Sequence, residues 1–300
     1  MQWQRPLPAN LSAPLGTHNS LLRARSRRHV VTGFEGPLSI KSVVTGTVAW
    51  RSGSRDLVVD RDSFLVLQDG EPYSMDIDAR APVATLCVFF QRGFAESVRA
   101  SLGSQAIDPE PARLPFLGHL HPRDERILPR MQSIAAAPEA GSLWLDEQYL
   151  LLARDLVLLD RDLRRRAGMM PARRPATREE LYRRVRRGQE LLHAQPGSDW
   201  SLGEIARQSC LSPYHFHRAF TTAFGMTPHQ YRNELRLAQA RRLLETTELT
   251  VTEICGAVGF QSAPSFTTLF RQSFGVPPTA ARKKASPDKT SAPASATMRS

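Results

Sequence analysis

The chain has 300 residues, enough for about two domains, with 41% hydrophobic residues and a net charge of +11. No apolar run approaches the ~18 residues a membrane helix needs, and the start "MQWQRPLPAN" lacks the basic-then-apolar pattern of a secretory leader. Cys87, Cys210 and Cys255 form no CxxC pair and no even framework, so the expectation is a cytoplasmic protein with buried thiols.

Residues 37–90 alternate with a period of two. "LSIKSVVTGTVAW", "RDLVVDRDSFLVL" and "APVATLCVFF" are rich in Val, Ile, Thr and Phe, and "SGSRD" and "QDGEPY" punctuate them with turn residues. Short strands with tight turns predict an antiparallel barrel or sandwich over about 20–95. Trp50, Phe64, Tyr73 and Phe89 supply its aromatic core, and the first three are the candidates for lining an effector site. Helices follow over about 120–166. In "LWLDEQYLLLARDLVLLDRDLRRRAG" the stripe Leu145, Tyr149, Leu152, Leu156 and Leu159 packs on the barrel and, over part of its length, on a second copy. His119 and His121 in "GHLHPRDE" have HxH spacing but sit in an apparent loop without a third ligand, so no metal is expected.

"GMMPARRPA" breaks the pattern, and residues 167–176 read as an interdomain linker. Beyond it the charge is concentrated: residues 171–300 hold 19 Lys+Arg and 10 Asp+Glu, a balance of +9, against 21 and 19, or +2, in residues 1–170. A basic domain is a candidate for a polyanion. The run "RRVRR" (Arg183, Arg184, Arg186, Arg187) reads as a solvated helix face, with phosphate contacts as the alternative. Three capping boxes, Thr177/Glu180, Ser201/Glu204 and Thr250/Glu253, mark helix starts. The end from about Lys283 lacks periodicity and reads as a disordered tail.

The most informative pattern is a repeat. Glu204-Ile205 recurs as Glu253-Ile254 at an offset of 49. Phe216, Phe220, Phe224, Gly225 and Pro228 recur as Phe266, Phe270, Phe274, Gly275 and Pro278 at an offset of 50. Each copy therefore reads as a short helix, a turn and a second helix with inward Phe residues, and the second copy's turn is one residue longer. Gly225 and Gly275 end the second helices in the left-handed conformation. Two helices on a short turn are a helix-turn-helix, whose second helix enters the DNA major groove. "NELRLAQARRLLE" (233–245) predicts a rigid helix between the two units. The outward positions are Tyr214, His217, Arg218 and Thr221 in the first copy and Ser262, Ala263, Pro264, Ser265, Thr267, Thr268 and Arg271 in the second. His215 and His217, two apart on a helix, do not face one metal site.

"SLGEIARQSCLSPYHFHRAF", "NELRLAQARRLL" and "TVTEICGAVGFQSAPSFTTLFRQSFGVPP" resemble the DNA-binding region of AraC/XylS-family bacterial transcription regulators, over about a third of the chain. The barrel-then-helices half is more loosely similar to the family's effector-binding, dimerising half. The resemblance implies an α+β chain: a cupin-like barrel with helices (1–166) and an all-α domain with two helix-turn-helix units (177–282). It implies double-stranded promoter DNA, a small-molecule effector, a second copy as homodimer and RNA polymerase as partners, with no catalytic residue, cofactor, metal or membrane. Ser212 caps the first reading helix, Arg218 is the best base-reading candidate, and Arg271 anchors phosphate. Ala263, Pro264 and Thr268 are short or apolar where the family often has long polar side chains, which predicts a weaker second reader. The alternatives are an effector-independent regulator whose barrel only dimerises, and a metal-dependent cupin enzyme tethered to DNA.

Overall fold

Two long strands organise the first half of the chain. In the computed structural model, which describes residues 14–102, 114 and 117–285 with side chains to 282, β1 (Ser20–Glu35) runs antiparallel along one edge of β6 (Pro72–Phe89). The other edge of β6 is shared. β3 (Val48–Ser52) pairs with its start and β2 (Ser39–Thr45) with its end. β4 (Arg55–Val59) lies on β3, β5 (Ser63–Leu67) on β2, and β7 (Leu120–Pro122) on β5. Register shifts in the β1–β6 and β2–β6 pairs bend the long strands, as bulges do. The result is a nearly closed antiparallel barrel.

Period-two alternation fills the barrel. β3 turns Val48 and Trp50 inward and leaves Ala49 and Arg51 exposed, and Leu57, Val59, Leu65, Leu67, Tyr73, Ile77 and Val83 join them in one core. Every residue of β5 is buried. Leu65 and Leu67 face the barrel, whereas Phe64 stacks on His121 at 5.1 Å between ring centroids.

Helices α1 (Phe94–Ser101), α2 (Ile127–Ala136) and α3 (Ser142–Gly168) follow. Tyr149, Leu152 and Leu156 of α3 are buried, while Leu145 and Leu159 are half-buried. Two acids on the same helix are also buried. Asp155 is paired with Arg130 at 3.1 Å and Asp160 with Arg164 at 2.7 Å. Leu143 (83% exposed) and Leu150 (47%) point away from this core.

α4 runs from Pro175 to Ala194, so it starts before Thr177, and the first predicted capping box lies inside the helix. Arg186 departs from the solvated-face reading, whereas Arg183 stays exposed. Arg186 is buried and donates to Leu120 O and Gln189 Oε1. Arg183 and Arg184 pair with Glu180. His121 lies on β7 and His119 in the bend just before it, rather than both in a loop. His119 Nδ1 donates to buried Glu190 at 2.8 Å, and His121 Nε2 donates to Leu117 O at 2.9 Å. Arg55, itself bound to Glu71, lies 3.8 Å from Glu190. Burial lowers the basicity of both histidines, and the hydrogen bond from His119 together with the facing Arg55 and Arg186 cations holds the Glu190 carboxyl below its ordinary range despite its burial.

The chain divides into two compact units, Met1–Glu190 and Leu191–Ser300. The division falls inside α4, beyond residues 169–174, the part of the 167–176 segment that lies between α3 and α4. The second unit contains α5 (Leu202–Gln208), α6 (Pro213–Phe224), α7 (Pro228–Thr246), α8 (Val251–Ala257), α9 (Ala263–Phe274) and α10 (Pro278–Ala285). Residues 286–300, most of the tail read as disordered, lie outside the described residues.

Candidate nucleic-acid interface

The two copies fold alike because the same short-range interactions recur. Ser201 and Thr250 accept from the amides of Glu204 and Glu253, whose carboxylates reach back to the cap amides. These bonds hold both carboxyls below their ordinary range. After α5, the amide of Leu211 bonds Ala206 O, and after α8 that of Phe260 bonds Cys255 O. Four residues separate α5 from α6 and five separate α8 from α9. The extra one is Gln261, so the predicted one-residue difference is located.

Each turn contains a left-handed residue, Gly259 at φ 86° and Cys210 at φ 54°. Cys210 is exposed, unlike the buried thiol expected. Gly259 is required: a Cβ there would lie 2.9 Å from both Gly197 O and the Arg236 guanidinium.

The second helices of the two copies, α6 and α9, start with matching caps. Ser212 accepts from His215 N, and Ser262 from Ser265 N, each followed by an early Pro, where the missing amide costs nothing. Phe216, Phe220, Phe266 and Phe270 are fully buried. The aromatic ladders are nearly superimposable in spacing: Phe216–Phe220 and Phe220–Phe224 centroids are 5.5 and 4.5 Å apart, and Phe266–Phe270 and Phe270–Phe274 are 5.7 and 4.6 Å apart. Gly225 and Gly275 end both helices with positive φ.

With the Phe face turned in, Tyr214 (69% exposed), His217 and Arg218 lie on the open face of α6. Thr221 is half-buried and its hydroxyl donates to His217 O. On α9, Ser262, Pro264, Ser265, Thr268 and Arg271 are exposed, whereas Ala263 and Thr267 are half-buried. Ala263 packs against the core of the second copy, and the Thr268 hydroxyl donates to Pro264 O. Among the described residues, the side chains of His217, Arg218 and Arg271 make no hydrogen bond or ion pair, which leaves three donor groups open to a partner.

α7 begins with a capping box, Thr227/Gln230, which sequence reasoning missed because the partner is Gln rather than Glu. Its Leu237, Ala240 and Leu244 enter the core of the second copy. Arg232 and Arg236 donate to Trp200 O and Pro196 O, both at 2.7 Å. Arg236 also lies over the Phe260 ring. One arginine thus ties the segment before α5 to the turn after α8.

Residues 205–284 match a family model described as a helix-turn-helix domain. Over 74 residues the chain is 42% identical to the HTH-type transcriptional activator RhaS of Escherichia coli (strain SE11), a stretch that is 25% of this chain and 27% of that relative. The C-terminal segment is an AraC-type helix-turn-helix domain. The chain matches only about a quarter of the length of RhaS, so the likeness belongs to the AraC-type domain and not to the barrel. Among solved structures, the DNA-binding domain of AdpA in complex with a target DNA is 32% identical, with 35% of this chain and 90% of that chain covered and a TM-score of 0.30. ToxT of Vibrio cholerae O395 is 10% identical, with 88% of this chain and 97% of that chain covered and a TM-score of 0.35.

The barrel contains a second feature. A cavity of about 50 Å³ is lined by residues including Leu22, His29, Lys41, Trp50, Tyr73 and Cys87. Trp50 and Tyr73 line it as the sequence suggested, but Phe64 does not. Lys41 and Cys87, which face each other in the β2–β6 register, are not among the sequence candidates. The signal was available, since Lys41 is two residues before inward-facing Val43 and shares its face. Among the described residues no three His, Cys, Asp or Glu side chains are grouped to hold a metal ion, and no helix is long and apolar enough to cross a membrane.

Proposed function

We propose that this protein is a sequence-specific transcription regulator that binds double-stranded promoter DNA through both helix-turn-helix units. The observation that carries the reading is the duplicated unit with its unpaired outward donors, joined by one stiff helix. At 1.5 Å per residue the 19 residues of α7 span about 28 Å, comparable with the roughly 34 Å between successive major-groove segments on one face of DNA.

Within this reading α6 is the principal base reader. Arg218 can form a bidentate pair with guanine, and Tyr214 and His217 flank it. α9 offers short side chains, so it serves mainly to anchor phosphate through Arg271 and the helix N-terminus. The barrel senses a small molecule and shifts the population of DNA-binding arrangements. Exposed Leu143 and Leu150 on α3 support pairing with a second copy. The small cavity favours one competing reading, in which the barrel only dimerises.

A binding selection with both half-sites randomised tests the DNA reading. Information content should concentrate in the half-site read by α6, and equal content in both would refute that division. If about 6–10 phosphates are contacted, affinity should fall ~10³–10⁵-fold between 50 and 200 mM salt. A flat salt response would remove the proposed surface.

A further inference from the structure

Among the described residues, nothing around one enclosed cation of the barrel neutralises it. The Lys41 side chain is 1% exposed. Its Nζ donates to Tyr73 Oη at 3.0 Å and lies 3.7 Å from the centroid of the Phe89 ring. Neither neighbour carries a negative charge at neutral pH, because burial drives the Tyr73 hydroxyl far above its ordinary range. Burial likewise raises the opposed Cys87 thiol, keeping it neutral. Among the described residues no Asp or Glu lines the cavity. Lysine is almost never fully buried without a partner of opposite charge.

A second group points the same way. His29 Nε2 is buried in the wall of the cavity and has no hydrogen-bond partner among the described residues. Buried polar atoms are ordinarily satisfied, so an unsatisfied one in the wall of the same cavity as a buried ammonium calls for a polar ligand. The remaining wall is apolar, formed by Trp50, Met75, Ile77 and Val83 among others. The space of about 50 Å³ is roughly a third of an apolar cavity that holds benzene, which limits the enclosed part of a ligand to a few non-hydrogen atoms.

We propose that the barrel cavity binds a small aliphatic monocarboxylate, its carboxylate held by Lys41 and Tyr73 and the start of its hydrocarbon chain packed against Trp50, Met75, Ile77 and Val83. Burial lowers the Lys41 pKa to about 8, so the ammonium still predominates at pH 7. Among the described residues the wall holds one lysine and no arginine, which selects one negative charge over two. The assignment deepens the sensor reading above by naming the chemical class the barrel recognises.

The test uses the full chain and butanoate, with butanamide as its uncharged counterpart, at constant ionic strength and pH 7. Butanoate should raise the unfolding temperature saturably and give a calorimetric binding isotherm, while butanamide should do neither. Lys41→Met should abolish binding, and Tyr73→Phe, which keeps the ring, should weaken it about fivefold. Equal shifts with butanamide, full binding by Lys41→Met, or no response to any linear carboxylate from acetate to hexanoate would each overturn the assignment. Borohydride-dependent mass gain with butanal in the absence of butanoate binding would also overturn it, in favour of imine formation at Lys41. Promoter-DNA affinity is measured on the same samples. Salt-dependent DNA binding without butanoate binding removes the carboxylate site but leaves the regulator. Butanoate binding without any change in DNA affinity leaves the site but removes the sensor.

Discussion

Replacing Lys41 by Met, nearly isosteric and uncharged, should stabilise the barrel at pH 7 and lose that advantage in alkali. Burial lowers the Lys41 pKa from 10.5 to about 8, and at 1.36 kcal/mol per pH unit that difference amounts to about 3 kcal/mol. Because the folded-state pKa is depressed, the cost of the buried ammonium is fully present below pH 8. It disappears as pH rises through 10.5, where the unfolded chain also loses its proton. Met removes this cost but leaves the Tyr73 hydroxyl without its lysine partner, a loss of about 1 kcal/mol. The net expectation is a variant more stable by about 2 kcal/mol at pH 7 that becomes the less stable protein above about pH 10. Cys87 and Tyr73 also titrate differently in the folded and unfolded chains, and the difference between wild type and variant cancels their contribution to first order. Urea unfolding from pH 7 to 10.5, followed by the fluorescence of Trp50 and the other tryptophans, measures that difference. A difference that does not vary with pH, or a variant destabilised at pH 7, would refute the uncompensated charge.

Arg218→Ala should relax base preference at one position by about 1–3 kcal/mol, whereas Arg271→Ala should weaken all sequences alike; competition against single-base operator variants separates the two. Cys210→Gly should stabilise the AraC-type domain by up to about 1 kcal/mol, because the left-handed backbone strains a residue with a Cβ, and a lowered melting temperature would contradict this. Gly259→Ala, by contrast, should destabilise it, since its Cβ would meet Gly197 O and Arg236. Ser201→Ala and Thr250→Ala should each cost about 1 kcal/mol through the lost cap, in chemical denaturation of either variant.

The second unit is largely legible in the amino-acid sequence. Capping boxes act within three residues, left-handed glycines act at one, and the Phe ladder repeats every fourth position on one helix face. All of these are local, so the two copies align and even their one-residue difference can be assigned. The barrel is legible as a class, because alternation shows which strand residues share a face. It does not show which side of a doubly buried strand faces the interior, and Phe64 therefore stacks on His121 outside the cavity instead of lining it.

What the sequence determined by itself is the duplicated helix-turn-helix with its caps, turns and outward side chains, since each depends on interactions a few residues long. Tertiary structure alone decided the fate of the charges. Arg186 reaches Leu120 across 66 positions and His119 reaches Glu190 across 71, which places the first part of α4 with the barrel unit. Among the described residues Lys41 reaches Tyr73 and the Phe89 ring but no counter-ion. The energy of a buried charge depends on every group packed around it, and those groups come from strands and helices far apart in the chain.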